Sequence, residues 1–280
     1  KCAAAKGEMM AKPDHVFFVN AFTDAWHKGN TAAVVILDEY PDPSQMLALA
    51  SEFGFSETAF LKQLGPARYH IRWFTPEVEV PLCGHATLAS AKALLSSGES
   101  GRIIFESLSG ELAATPKGEL IELDFPAEMT QPCEVEAALL RALGPDDPLE
   151  ALSARASRNL ILVYADQRQV MNLKPDFAHL AGFSHLPWLG IAVTAPSPEG
   201  YICRYFAPRE GINEDPVTGS AQTYLAPYWS ARLGLKVLQG FQASARGGTF
   251  EVELAEERTL IRGRAFLWLS GEIASGWQVA

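Results

Sequence analysis

One feature limits the possible folds of this chain more than any other: the second half carries a degenerate copy of the first. Arg72-Trp73-Phe74-Thr75-Pro76 is followed after seven residues by Gly84-His85-Ala86, and Arg204-Tyr205-Phe206-Ala207-Pro208 is followed after ten by Gly219-Ser220-Ala221. A weaker match precedes each motif. Residues 43–50 with 57–61, and residues 175–181 with 190–194, each read as a short helical pattern leading into an apolar strand. Solenoid arrays repeat every 20–50 residues or so. The two glycines stand about half of the 280-residue chain apart, which predicts two similar domains instead.

Apolar alternation and β-branched runs predict strands at 16–22, 32–37 and 70–74, and a meander at 103–106, 111–115 and 120–125 with turns at Ser109-Gly110 and Lys117-Gly118. The second half repeats the style at 159–165, 190–194, 200–206, 249–254 and 260–270. Residues 125–132, with Pro126 and Pro132, form the best linker. The segments after the two repeated glycines are the most informative. Residues 85–96 hold Lys92 as their only firm charge, and residues 220–233 are nearly as apolar. A helix without a charged face is buried on most sides. Pro227 is expected to kink the second helix and Gly234 to end it. The expected fold is α+β: two similar domains, 14–125 and 126–280, each a curved mixed sheet rolled around a central, mostly buried helix. The last strand is free to return to the first domain.

Charge narrows the partners. Lys plus Arg is 23 and Asp plus Glu is 33, a net charge of −10. Such a surface repels nucleic-acid phosphates and anionic lipids, so neither nucleic acid nor membrane is expected as a partner. No apolar run reaches the length of a membrane span. Four cysteines without a C-x-x-C pair suit a reducing, cytoplasmic setting. Residues 1–10 lack a long apolar signal core and are expected to be a leader or loose tail outside the fold. No G-x-G-x-x-G, P-loop, H-E-x-x-H or G-x-S-x-G motif is present, and His179 and His185, six apart, suit no metal face, so a nucleotide, a metal or serine-hydrolase chemistry is not expected.

A glycine loop at a helix start presents free N–H groups and the positive end of the helix dipole. Gly84 and Gly219 therefore mark either a small carboxylate site between the halves or simply tight loop-to-helix packing. Glu57, at the head of an apolar strand, is either a solvated strand-end residue or a base in a dry cleft. Asp215, in Glu214-Asp215-Pro216, is either a turn and helix cap or a catalytic group. His85 alone is either a packing residue or a proton carrier.

These residues also carry a resemblance. Asn20-Ala21-Phe22 with Gly29-Asn30, Ser56-Glu57-Thr58-Ala59-Phe60, the first Arg-Trp-Phe-Thr-Pro motif, Leu82-Cys83-Gly84-His85-Ala86-Thr87-Leu88 and Glu214-Asp215-Pro216-Val217-Thr218-Gly219-Ser220-Ala221 occur in the order found in the phenazine-biosynthesis PhzF-like isomerase family. The chain resembles that family from about Val16 to Glu272. The resemblance implies a diaminopimelate-epimerase-like fold, a homodimer, no cofactor and an active site between the domains. It implies isomerisation of a small cyclic or unsaturated hydroxy or amino carboxylic acid by proton movement between carbons. Glu57 carries over as the general acid/base and His85, Asp215 and Ser220 as its partners. Gly84, Gly219, Asn30 and Cys83 are expected at the substrate. Thr31 stands, after Gly29-Asn30, where many members of that family have proline. Cys83 stands where the related two-cysteine epimerases place a catalytic base. That leaves two rivals: a two-base amino-acid racemase or epimerase using Cys83, and a non-catalytic metabolite-binding protein.

Overall fold

The computed structural model describes residues 14–274 and 276–277. The expected leader, residues 1–10, and Cys2 lie outside the described residues. The first half runs β1 (His15–Ala21), β2 (Asn30–Leu37), α1 (Pro43–Phe53), β3 (Glu57–Gly65), β4 (Arg68–Phe74), β5 (Glu79–Val80), α2 (Gly84–Ser96), β6 (Ile103–Ser107), β7 (Gly110–Lys117) and β8 (Leu120–Pro126). The second begins with β9 (Gln131–Pro132), α3 (Ala137–Leu143), β10 (Glu150–Ala154), β11 (Asn159–Val163), α4 (Gln167–Asn172), α5 (Phe177–Ala181), β12 (Gly190–Ser197) and β13 (Gly200–Phe206). It ends with α6 (Gln222–Leu233), β14 (Val237–Gln242), β15 (Gly248–Ala255), β16 (Arg258–Gly263) and β17 (Ala265–Glu272).

The repeat extends to the ladders. In the first half β1–β2 is antiparallel, β2–β3 parallel, β3–β4 antiparallel, β4–β6 parallel, and β6–β7 and β7–β8 antiparallel. The series β10–β11–β12–β13–β14–β15–β16 repeats those directions in the same order. β8 and β16 join the two sheets as an antiparallel pair. β17, at the end of the second half, crosses to pair with β1 of the first, and β9, which directly follows β8, pairs with β10.

The strand expected at 260–270 is therefore two strands. The chain breaks at Arg264, whose carbonyl accepts the Thr23 N–H at 3.1 Å. A Cβ at Gly263 would lie 2.6 Å from the Phe22 ring, so glycine lets the backbone pass that ring as it leaves β8 for β1.

Both helices sit as the missing charge predicts. From Gly84 to Ala91 every residue of α2 is buried, and the helix packs on β1, β2, β3, β7, β8 and β17. α6 packs on β13, β14, β15 and β16 and buries Gln222 to Pro227 and Trp229. It begins two residues later than expected, because Gly219–Ala221 forms a tighter turn with N–H bonds to the carbonyl three residues back. Pro227 lies inside α6, which continues through it. The carbonyl it leaves without its helical donor, on Thr223, accepts the Glu128 N–H at 2.9 Å. Glu128 belongs to the expected linker, so the connection between halves is docked on the second central helix. Gly234 ends α6 in the left-handed conformation, as expected.

The repeated arginine motif has a structural role in each half. Arg72 holds Glu79 through two bonds of 2.7 Å, and Arg204 holds Glu214 through bonds of 2.7 and 3.0 Å. Each guanidinium also lies over the phenylalanine two residues on, at 5.2 Å for Phe74 and 4.9 Å for Phe206. Each pair ties the strand that carries the arginine to the segment that leads to a glycine and a central helix. The arginines thus aim the two helix starts.

Candidate active site

The two helix starts meet backbone to backbone. A Cβ at Gly84 would lie 2.9 Å from the Gly219 Cα, and one at Gly219 would lie 3.0 Å from the Gly84 Cα. Close approach is therefore one reason for both glycines. Around this contact the structure gathers Asn30 at the head of β2, Glu57 at the head of β3, Cys83 and His85 at the start of α2, and Asp215 in the loop before α6. Ser220 joins them through its backbone nitrogen, which lies 3.1 Å from that Gly84 Cβ position. No side-chain hydrogen bond links Ser220 to the others among the described residues.

Asn30 is the hub. Its Nδ2 donates to Asp215 Oδ1 at 2.7 Å and to the Val217 carbonyl at 3.0 Å, and lies 3.1 Å from His85 Nδ1. Its Oδ1 accepts from Ser56 Oγ at 3.0 Å, which fixes the orientation of the amide. His85 Nδ1 thus faces a donor and is the bare nitrogen of the neutral ring. The hydrogen then sits on Nε2, 3.2 Å from Glu57 Oε2. That contact lacks hydrogen-bond geometry, and Glu57 Oε2 is a buried oxygen without a hydrogen-bond partner. An oxygen left so costs about 1–3 kcal/mol, a cost that proteins tend to retain where chemistry needs the atom.

Burial sets the protonation states. It pushes Glu57 up to about 8, with the Asp215 carboxylate adding to the effect. Asp215 also rises through burial, opposed by the bonds from Thr218 and Asn30. Burial pushes His85 down to about 3, so its imidazole is neutral at physiological pH. The Cys83 thiol is driven upward by burial and by Glu57, and it keeps its proton.

Several supporting residues have no advance signal in the sequence. Gln242, fully buried on β14, accepts the Thr218 N–H at 2.9 Å and donates to the Asp215 carbonyl at 2.8 Å. Thr218 Oγ1 donates to Asp215 Oδ2 at 2.5 Å, and Gln222 Nε2 donates to the Thr218 carbonyl at 2.8 Å. These bonds hold Asp215 in a stapled loop. The cap alternative for Asp215 fails, because α6 is preceded by Ala221 without a side-chain cap. Arg246, in the turn between β14 and β15, reaches across the halves to the carbonyls of Gly29 at 2.7 Å and Lys28 at 2.9 Å and to Thr31 Oγ1 at 3.0 Å. Thr31 also donates to Asn20 Oδ1 at 2.8 Å. A hydroxyl network thus holds the loop that leads into β2. Arg246→Met should loosen the loop that carries Asn30 and lower kcat/KM about tenfold while the melting temperature moves little, since misplaced groups cost rate steeply. Unchanged kinetics would show that Asn30 needs no such clamp.

Comparison with known proteins adds to this geometry. A family model described as phenazine biosynthesis-like protein (PhzC-PhzF) matches residues 19–271. An uncharacterized isomerase of Pseudomonas aeruginosa is 42% identical over 261 residues, covering 92% of this chain and 98% of that protein. A crystal structure of a phenazine biosynthesis protein of the PhzF family from Enterococcus faecalis matches with a TM-score of 0.86 and 39% identity, covering 93% of this chain and 98% of that one. A probable proline racemase from Agrobacterium radiobacter shares the fold alone, with a TM-score of 0.63 at 13% identity and 93% coverage of both chains. Among the described residues no helix is long and apolar enough to cross a membrane.

Proposed function

The chain belongs to the phenazine biosynthesis-like PhzC-PhzF family, and on that premise we propose that it is a cofactor-independent isomerase that moves a proton between carbons of a small cyclic or unsaturated hydroxy or amino carboxylic acid. The observation that carries this reading is the partnerless, buried Oε2 of Glu57, set beside a neutral histidine at the meeting point of two helix starts. Glu57 in its ionised form takes the proton from one carbon of the substrate. The resulting carboxylic acid returns it to another carbon on the same face. A carboxyl poised near operating pH suits both half-steps better than an ordinary one. His85 Nε2–H and the N–H groups of the helix starts hold the substrate's polar groups and stabilise the charge that develops beside its carboxylate. Asp215 and Asn30 keep that imidazole in place. A homodimer of the isomerase remains the family expectation, measurable by light scattering.

Three observations bear against a two-base racemase. Cys83 holds its proton, whereas a thiol base must lose it. Residue 218, where a second thiol belongs, is the threonine bound to Asp215. Cys203 lies in the core with Gln242 as its partner at 3.8 Å. The test is to incubate the protein with candidate unsaturated hydroxy and amino acids in deuterated water. Deuterium is expected at carbon in a substrate, with label retained in Cys83→Ser within about tenfold and lost in Glu57→Gln. Label lost in Cys83→Ser and kept in Glu57→Gln would establish the thiol mechanism. Binding without any exchange would leave the metabolite-binding alternative.

A further inference from the structure

The Asn30 side chain is one hydrogen short. Its Nδ2 faces three buried acceptors: Asp215 Oδ1 at 2.7 Å, the Val217 carbonyl at 3.0 Å and His85 Nδ1 at 3.1 Å. An amide nitrogen carries only two hydrogens. The two oxygens are the nearer pair and take both. The lone pair of His85 Nδ1 then needs another donor, because a buried acceptor left bare is costly. Cys83 Sγ lies 3.5 Å from that nitrogen. Cys83 stands in the extended conformation just before α2 and His85 in its first turn, so the helix start itself sets the two side by side. The thiol keeps its proton and so has a hydrogen to give. The other ring nitrogen fits the same pattern. Ser56 Oγ, 3.5 Å from Nε2, spends its one hydrogen on Asn30 Oδ1 and offers Nε2 no donor.

We propose that Cys83 is a positioning residue: its S–H donates to His85 Nδ1, which fixes the ring tautomer and aims Nε2–H toward Glu57. The same bond leaves both Asn30 hydrogens to Asp215 and the Val217 carbonyl, so one thiol from the first half helps hold the loop of the second. Without it, Nδ1 competes with those two oxygens for the hydrogens of Asn30. In this role the thiol never loses its proton. The competing acceptor for its hydrogen is the Glu57 carboxyl, one oxygen of which lies within 4.8 Å of the sulfur. The benefit to turnover rests on the isomerase reading, whereas the hydrogen bond does not.

The probe is the infrared S–H stretch of the reduced full-length protein without substrate. The difference between the unmodified protein and Cys83→Ala isolates the Cys83 band, and Cys133→Ala isolates that of the half-buried Cys133 for comparison. The Cys83 band is expected at the lower frequency of a thiol that donates to nitrogen. His85→Phe should return it to the position of a free thiol, and Glu57→Gln should leave it in place. A Cys83 band at the free position, or one that responds to Glu57→Gln and not to His85→Phe, overturns the proposal. Should His85→Phe fail to fold, nitrogen NMR of isotopically labelled histidine decides. The bare Nδ1 signal of His85 must then move in Cys83→Ala, and an unmoved signal overturns the bond. On an identified substrate, kcat is expected to fall about tenfold in Cys83→Ala with KM little changed, and to recover in part in Cys83→Ser, which keeps a donor. An unchanged kcat in Cys83→Ala overturns the positioning role. A displaced S–H band in a protein that fails the deuterium test would keep the thiol bond and sink the isomerase reading alone.

Discussion

Glu57→Gln is expected to fold, to lose turnover by at least about 10²–10⁴-fold, and to outlast the unmodified protein in alkali. The rate loss follows from removing the one group set to take and return the proton. The stability gain follows from linkage. In the unfolded chain this carboxyl titrates near its ordinary value of 4.5, whereas burial in the folded protein holds its proton to about 8. Between those values the native state binds more protons than the unfolded state, so stability is complete below 4.5 and falls as pH rises through the folded value. At about 1.4 kcal/mol per pKa unit, the effect is on the order of a few kcal/mol. His85 has the opposite sign. Its folded value of about 3 lies below its ordinary 6.5, so its contribution is present above 6.5 and lost as pH falls. Asp215, raised to about 6, loses most of its own contribution below this window, so the slope between 6.5 and about 8 falls chiefly to Glu57. Urea unfolding at pH 6.5 and 8.5 should show a marked alkaline loss in the unmodified protein and a much smaller one in Glu57→Gln. Equal losses in the two proteins would mean that this carboxyl is ionised before pH 6.5.

Gly84→Ala is expected to be the most damaging of the small substitutions. The added methyl carbon meets backbone, the Gly219 Cα at 2.9 Å and the Ser220 nitrogen at 3.1 Å. Neither is the end of a flexible side chain, so one helix start must move. Overpacking of this kind costs about 1–3 kcal/mol. The larger consequence is functional. The shift separates His85, on α2, from Asp215 and Gly219, in the loop before α6, and a displacement near 1 Å costs about 10²-fold in rate. Gly65→Ala is the control, because its Cβ meets nothing within 4 Å and its backbone is not left-handed. A Gly84→Ala protein with normal kinetics would show that the site tolerates separation of the two helix starts.

Much of this was legible from local pattern. The Arg-aromatic-Phe motifs, the chargeless stretches after Gly84 and Gly219, and the alternation of the meander announced the paired halves and their buried helices. These are local signals, since burial of a helix or strand is written in the spacing of its own side chains. The single run at 260–270 misled because apolar content continues through Arg264 while the partner strand changes from β8 to β1. Pattern within a segment reports that it pairs, and not with what.

The amino-acid order alone determined the twofold architecture, the two central helices and the residue types placed at their starts. Tertiary structure alone decided that Asn30 would bind Asp215, that Gln242 would staple the loop beneath it, that Arg246 would reach from one half to the loop of the other, and that one oxygen of Glu57 would be left without a partner. The reason is the range of the forces involved. Helix and strand preferences act among near neighbours in the chain, whereas these bonds join residues remote in sequence whose meeting depends on how two whole sheets close around their helices.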